Sequence, residues 1–518
     1  MTESSDLMYD ILIIGGGITG AGIFHLASRA GLKNLLVDAN DYSFGTSSRS
    51  SKLVHGGLRY LRNGQFGVTR ESVREREWLL RAAPNLVTPL AFTLPHFAGS
   101  KTPHWQWGLG VFIYDLMAPK WQHRTLTRAE TLAECPMVKQ EGLEAAHRYM
   151  DAQVDDSRLV LRLIFEGVRA GGTARNYTRA ESLLKTVDGT VCGAVLRTAD
   201  GTTSEVQARV VINAAGPWAD DLRQDVGASP RIRPLRGSHL VFPASRFPLS
   251  TAITLMHPRD NRAMFALPWE GAVVIGTTDI DETADWRSGE PTMSVEEGAY
   301  ILEAARATFP AMELSEVDVL SSFAGLRPIV SSGEGLDPSR ESRAHVVWDE
   351  HGLITVTGGK LTIFRKMAAQ ALRMAASRIP GAPEFREDTP AFEPLPRQVD
   401  PHGLDNGQVA HLLGRHGTQT AAVLDAAEAG ELESIPNQPN LWAELRWAAR
   451  HEQVRHLDDL LLRRVRMGLL QPKGAADLLP KVRSIVQREL DWDDVRWQAE
   501  EKRYLRIWQK YYAVEQIN

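Results

Sequence analysis

The segment Gly15-Gly16-Gly17-Ile18-Thr19-Gly20 lies between a continuous apolar run, Tyr9 to Ile14, and a stretch with helical apolar spacing, Ile18 to Ala30. A second apolar run, Leu35 to Val37, follows and ends at Asp38. Strand, glycine turn, helix and strand in that order make one βαβ unit, which requires a parallel sheet. In a GxGxxG turn the first glycine makes the turn, Gly17 lets the backbone approach a pyrophosphate, and Gly20 lets helix and strand pack closely. Asp38, 21 positions after Gly17, is placed to accept hydrogen bonds from a ribose. The pattern predicts a bound dinucleotide.

A similar sequence of elements returns late in the chain. Ile354 to Val356 reads as a strand, Thr357-Gly358-Gly359-Lys360-Leu361-Thr362 as a turn, and the residues through about Arg378 as a helix. Between the two, strands are expected at Val191 to Leu196 and Val206 to Ile212, the latter running into Asn213-Ala214-Ala215-Gly216-Pro217-Trp218. A nicotinamide-binding unit is more often complete within about 150 consecutive residues, whereas large flavin domains are often discontinuous, so FAD is favoured. His239 to Phe242, Ala263 to Leu267 and Ala272 to Ile275 read as strands of a mixed or antiparallel sheet walling a substrate pocket. After the proline-rich stretch from Thr389 to Pro401, leucine, alanine and arginine recur at helical spacing.

The fold class expected is therefore α/β plus α, with three units. A discontinuous Rossmann-like FAD-binding domain takes residues 1–90, 150–235 and 325–380. A mixed-sheet substrate domain takes 91–149 and 236–324, and a C-terminal helical domain takes 390–518. A chain of 518 residues exceeds what one hydrophobic core usually organises. Composition is that of an ordinary globular protein, 43% hydrophobic and 24% charged. A net charge of −5 gives no global basic field, so nucleic acid is not an expected partner. Cys135 and Cys192 lie far apart, so neither a disulfide framework nor a zinc site is suggested, a reducing cytosol fits best, and no metal is expected. The first ten residues lack the basic and apolar regions of a secretory signal, and no run of about 18 apolar residues occurs, so any membrane contact is expected to be peripheral.

The run Thr46-Ser47-Ser48-Arg49-Ser50-Ser51-Lys52-Leu53-Val54-His55-Gly56-Gly57-Leu58-Arg59-Tyr60 is dense in hydroxyls, glycines and cationic groups. It suits wrapping a phosphate or a flavin edge, and equally an ordinary polar loop. Taken together, GGGITGAG, TSSRSSKLVHGGLRYL, DAQVDDSRLV, NAAGPWAD, RGSH, IGTTD, FAGLRP and TGGKLTIFRKMA, in this order, resemble the FAD-dependent glycerol-3-phosphate dehydrogenases, relatives of glycine oxidase and D-amino-acid oxidase. The match runs from about Tyr9 to Ala376 and continues in HEQVRHLDDLLLRRVRMGLL. Arg236, before Gly237-Ser238-His239, stands where many relatives carry lysine.

The resemblance implies oxidation of sn-glycerol 3-phosphate to dihydroxyacetone phosphate, with hydride transfer from C2 to flavin N5 and electrons passed to membrane quinone. It implies that FAD is held by Gly15, Gly17, Gly20, Asp38, Thr46, Ser47, Ser51, Leu53, Gly216, Gly358, Gly359, Lys360, Leu361 and Thr362. His55, Arg59, Tyr60, His239, Arg327, Arg343 and Lys360 are implied to face the substrate. The residue chemistry is consistent with this, because arginine forks bind phosphate oxygens bidentately, which suits Arg327 and Arg343. Histidine suits a base that takes the hydroxyl proton, and His55 and His239 both qualify. The catalytic set expected is His55, His239 and Arg327.

A quinone acceptor implies a protein peripherally docked on the cytoplasmic face of the inner membrane, and the family implies a homodimer. Two segments offer a docking surface. Trp105 to Trp121 is aromatic, apolar and poor in charge; Arg455 to Leu470 alternates leucine and arginine like a basic amphipathic helix. The first reads equally as core or subunit packing, the second as an ordinary surface helix of the C-terminal cap. A glycerol-3-phosphate oxidase using O2 and a non-catalytic FAD-binding relative remain as alternatives.

Overall fold

The computed structural model describes residues 8–58, 64–100, 102–118, 122–283, 286–287, 289–331, 344–386 and 391–514. Arg59, Tyr60 and Arg343, all expected at the substrate, lie outside the described residues.

The smaller of two sheets is built on the first strand, Tyr9–Ile14. Its neighbours are Thr203–Asn213 and Asn34–Val37, both parallel to it, with Ile11 facing Val210 on one side and Asn34 on the other. The path runs His345–Glu350, Leu353–Gly358, Thr203–Asn213, Tyr9–Ile14, Asn34–Val37 and Thr173–Arg175. Apart from the part-exposed Asp10, the apolar character of YDILII follows from burial on both faces. On one face pack the helices Ile18–Arg29, Asp156–Arg169 and Phe364–Ala376, with Phe24, Ile164, Phe364 and Ala368 in a shared core. On the other lies an antiparallel meander, Thr178–Lys185 and Val191–Thr198, which places Leu183 and Leu196 against Leu12 and Leu35.

The larger sheet of ten strands is antiparallel except where Ala252–Met256 runs parallel to Val87–Phe97. A long antiparallel pairing joins Ile232–Pro243 to Ser321–Val330, with Leu235 facing Arg327 and His239 facing Phe323. Helix Val295–Thr308 opens with a Ser294–Glu297 capping box and covers one part of the sheet through Ile301 and Ala305. The C-terminal helices are continuous with the core of this sheet. Leu460, Trp497 and Tyr504 pack with Phe92, Tyr149, Leu267 and Phe323 in one cluster.

The segment from Arg455 to Leu470 overturns the reading as a basic membrane helix. Arg463, Arg464 and Arg466 are 1%, 0% and 1% exposed, so none can reach a lipid headgroup. Arg463 donates to Asp41 at 2.6 Å and Asp458 at 2.9 Å, Arg464 to Asp41 at 2.6 Å, and Arg466 to Asp155 at 3.1 Å. Buried guanidinium groups need carboxylate partners, and beside Asp458 these are Asp41 and Asp155, hundreds of residues earlier in the chain. The other segment forms the helix His104–Leu116, whose Trp105, Leu109, Phe112 and Leu116 are 65%, 52%, 40% and 61% exposed. Their spacing puts them on one helix face. Among the described residues no helix is long and apolar enough to cross a membrane.

Candidate functional site

Both sheets contribute to one cavity of about 1010 Å³. Its first wall is the glycine turn. Gly15 has φ +112°, and a Cβ there would fall 2.5 Å from the carbonyl oxygen of Ala214. Gly20 does not line the cavity; it lies where helix Ile18–Arg29 crosses the first strand, and a Cβ would meet the oxygen of Gly15 at 1.8 Å. Gly17 does line it, and the Ser47 hydroxyl 3.1 Å away is the one close neighbour its Cβ would have. Ser47 Oγ in turn accepts from the Ile18 amide at 2.9 Å.

Asp38 reaches the turn directly, accepting from the Gly16 amide at 2.6 Å and the Asn40 amide at 2.8 Å. Burial pushes its carboxyl up to about 6, against the pull of those two amides. Thr46, Ser51, Leu53 and Gly216 line the same space, and so do Gly358, Gly359, Lys360, Leu361 and Thr362 from the late turn. Gly358 and Gly359 have φ of +73° and +70°, a left-handed pair that non-glycine residues rarely adopt. A polar groove with a glycine turn and an acidic residue at its far edge suits a dinucleotide, and the residues present fit FAD.

The hydroxyl-rich loop is held from behind by Asp156. Its Oδ2 accepts from the Ser50 amide at 2.9 Å, the Ser50 hydroxyl at 2.7 Å and Lys52 Nζ at 2.9 Å, and Arg466 donates to Oδ1. The neighbouring Asp155 caps helix Asp156–Arg169 through the Arg158 amide at 3.2 Å. The adjacent carboxylates Asp155 and Asp156 of DAQVDDSRLV thus start a helix and fix a loop. Burial lowers Lys52 to about 7 even with Asp156 beside it. The motif did not reveal this anchoring, because nothing in local spacing links Ser50 to a residue 106 positions on.

The expected substrate group shares this cavity. His55, His239, Arg327 and Lys360 all line it. His239 Nε2 lies 2.8 Å from Ser51 Oγ, and its ring stacks on Phe323 with centroids 4.6 Å apart. Burial, then Arg327 and Lys52, hold the imidazole well below its ordinary pKa. Arg327 Nη2 donates to Thr277 Oγ1 at 2.9 Å, and Nη1 to Asp279 Oδ1 at 3.1 Å. The guanidinium crosses Gly237, where a Cβ would sit 2.2 Å from Nη2. Lys360 Nζ donates to Ser72 Oγ at 2.7 Å. Arg236 turns elsewhere, to Glu282 at 2.8 Å and Glu297 at 2.9 Å, so the exchange for lysine there falls outside the cavity wall.

Sequence reasoning missed one wall altogether. Arg503, Ile507 and Tyr511 of the last helix, Asp494–Tyr511, line the cavity. Beside them the buried Arg49 joins Glu290 and the Tyr512 hydroxyl, the latter at 2.9 Å. The helical periodicity of the tail was visible, but no local pattern says which face meets residues more than 400 positions earlier.

Known proteins agree with this architecture. A family model described as FAD dependent oxidoreductase matches residues 10–365, and one described as the C-terminal domain of alpha-glycerophosphate oxidase matches residues 356–497. The aerobic glycerol-3-phosphate dehydrogenase of Staphylococcus aureus is 32% identical over 95% of this chain and 92% of its own. The crystal structure of glycerol-3-phosphate dehydrogenase from Bacillus halodurans complexed with FAD superposes with a TM-score of 0.77 at 30% identity, covering 98% of this chain and 96% of that one. The L-alpha-glycerophosphate oxidase of Mycoplasma pneumoniae with FAD bound shares the fold, with a TM-score of 0.59 at 18% identity over 76% of this chain and all of its own. With the glycine turn, the late second turn and the cationic residues of the cavity in place, the chain belongs to the FAD-dependent glycerol-3-phosphate dehydrogenase family.

Proposed function

We propose that the protein oxidises sn-glycerol 3-phosphate at C2 to dihydroxyacetone phosphate and delivers the electrons to membrane quinone. The observation that carries this reading is that His55, His239, Arg327 and Lys360 line the same cavity as the glycine turn and Asp38. When bound, FAD supplies the two-electron acceptor for the hydride that leaves C2. The Rossmann-like sheet is the FAD-binding part and the larger sheet the substrate-binding part.

The protein's own groups supply binding, orientation and proton handling. Arg327 offers a fork to the phosphate dianion from a position fixed by Thr277 and Asp279. Lys360, fixed by Ser72, adds positive potential beside the developing alkoxide. His239 is sealed and neutral, so its role is to hold the Ser51 hydroxyl and shape the pocket. His55 lines the cavity without being fully buried and takes the proton from the C2 hydroxyl. Arg59, Tyr60 and Arg343 complete the substrate set on the strength of the family pattern.

Quinone as acceptor requires a lipid-facing surface. The stripe Trp105, Leu109, Phe112 and Leu116 supplies one, because the only ionisable carboxylate of its helix, Asp115, is buried. The stripe supports a peripheral membrane contact; docking on the cytoplasmic face of the inner membrane and a homodimeric state are proposed on the strength of the family pattern. The test is anaerobic addition of sn-glycerol 3-phosphate to the purified protein, with the sn-1 enantiomer and glycerol as controls. Bleaching of the flavin band by the sn-3 compound alone is expected, and a band that stays oxidised refutes the substrate. Reoxidation faster with a soluble quinone than with O2 is expected; the reverse order favours the oxidase.

A further inference from the structure

We propose that His96, His104 and His147 form a binding site for one divalent transition-metal ion of the zinc class, separate from the flavin cavity. None of the three lines that cavity. His96 belongs to strand Val87–Phe97 and His147 to strand Leu143–Val154, paired so that His96 faces Ala145 and Leu94 faces His147. The two imidazoles are therefore diagonal neighbours on one face of the sheet. His104 is the first residue of helix His104–Leu116, which is seated so closely on the sheet that a Cβ on Gly108 would meet the His147 ring at 3.1 Å.

Strand register and helix seating bring the three rings together. Centroids lie 4.8 Å apart for His96 and His104, 4.8 Å for His96 and His147, and 4.4 Å for His104 and His147. One ring nitrogen of each lies within 4.8 Å of one of each other. Tetrahedral zinc with nitrogen ligands at about 2.0–2.1 Å needs nitrogens about 3.4 Å apart, a contraction that side-chain rotation supplies.

The hydrogen bonding separates this cluster from ordinary packed histidines. Nε2 of His96 and Nε2 of His104 are both buried with no hydrogen-bond partner among the described residues, and His96 is only 4% exposed. Buried imidazole nitrogens normally have partners. His147 differs: its Nε2 lies 3.1 Å from the His104 carbonyl oxygen and its Nδ1 3.3 Å from the Thr125 hydroxyl. An imidazole bound to metal through one nitrogen characteristically donates from the other, and His147 has a carbonyl waiting for that donation. Three neutral imidazoles are a borderline-soft donor set that selects zinc, nickel or copper over magnesium or calcium, and they leave a fourth position for water. His104 is partly exposed and gives the ion a way in. The ion would tie the start of the helix bearing the Trp105–Leu116 stripe to strands Val87–Phe97 and Leu143–Val154 of the larger sheet. Cysteine spacing could not reveal such a site, because it uses no cysteine.

The experiment uses the full-length, tag-free, FAD-loaded protein, stripped with chelator and titrated with Zn2+ by calorimetry and with Co2+ by absorption beyond the flavin band. One ion per chain is expected, with a cobalt spectrum of low coordination number. His104→Gln, at the helix start, and His96→Gln, within the strand, are each expected to weaken Zn2+ binding at least tenfold while flavin content stays unchanged. If His96→Gln fails to fold, His104→Gln carries the test alone. Absence of stoichiometric binding to the unsubstituted protein, or equal affinity in His104→Gln, overturns the proposal.

Discussion

Ser51 Oγ and His239 Nε2 meet at 2.8 Å, joining the hydroxyl-rich loop to the strand Ile232–Pro243 of the larger sheet. Nδ1 of the same ring is buried without a hydrogen-bond partner among the described residues. The folded protein therefore resists protonating His239, while in the unfolded chain it protonates near pH 6.5. A folded-state pKa below the unfolded one means that stability falls as pH drops through about 6.5, because the unfolded chain takes up the proton first. Urea midpoints measured from pH 8 to pH 5 should fall, and His239→Gln should make the fall shallower by up to one proton, about 1.4 kcal/mol per pH unit. Identical slopes in the two proteins would contradict the assignment.

The same contact separates the two histidines in catalysis. His55→Gln is expected to lower kcat by about 100-fold or more with flavin content intact, as loss of a proton acceptor does. Ser51→Ala, which frees the His239 ring and removes one hydroxyl from the cavity wall, should cost about tenfold and leave the pH profile in place. An unchanged kcat in His55→Gln would transfer the base elsewhere.

Arg327 is held by Thr277 and Asp279 in one orientation, and lysine cannot reproduce its fork. Charge-assisted hydrogen bonds contribute ~1.5–3 kcal/mol, so Arg327→Lys should raise KM by about 10- to 100-fold. Steady-state kinetics with sn-glycerol 3-phosphate, beside a flavin spectrum showing normal loading, checks it. A larger loss in kcat than in binding would move Arg327 from phosphate recognition to the chemical step.

Gly17 and Gly20 look alike in the sequence and do different work. A Cβ at position 20 would collide with backbone at 1.8 Å, whereas one at position 17 would meet only a hydroxyl at 3.1 Å. Gly20→Ala should abolish soluble protein. Gly17→Ala should fold, with an unchanged circular dichroism spectrum, and lose most of its flavin. Equal flavin content in Gly17→Ala and the parent would remove Gly17 from the cofactor contact.

These glycines also show what was legible in advance. Backbone geometry that only glycine tolerates leaves a mark on the sequence, so the turn at Gly15, the pair Gly358-Gly359 and the strands around them could be placed without a structure. His55, His239, Arg327 and Lys360 were found because their motifs occur together. The arginines at 463, 464 and 466 were not legible. Leucine and arginine at helical spacing describe a membrane-surface helix and a buried ionic one equally well. What decides between them is Asp41, 422 residues before Arg463.

That carboxylate sets the acid limit of the interlock. Burial alone would raise Asp41, but Arg464 and Arg463 pull it down to about 2. With a folded pKa below the unfolded value, its contribution is present above pH about 4 and disappears as pH falls toward 2. Asp41→Asn leaves two buried guanidinium groups short of a partner and should destabilise the protein by about 3–5 kcal/mol at pH 7. The penalty should shrink in acid, measured by urea unfolding at pH 7 and pH 3; a penalty independent of pH would show that the pair is not ionised as described.

The last helix of the chain, through Arg503, Ile507 and Tyr511, is part of the cavity wall whose floor is the glycine turn at residues 15–20. In a growing polypeptide the turn emerges long before this wall, which exists only once the helix Asp494–Tyr511 has been made. A product that stops short of that helix carries the sequence signature of a flavoprotein with an incomplete vessel for the flavin.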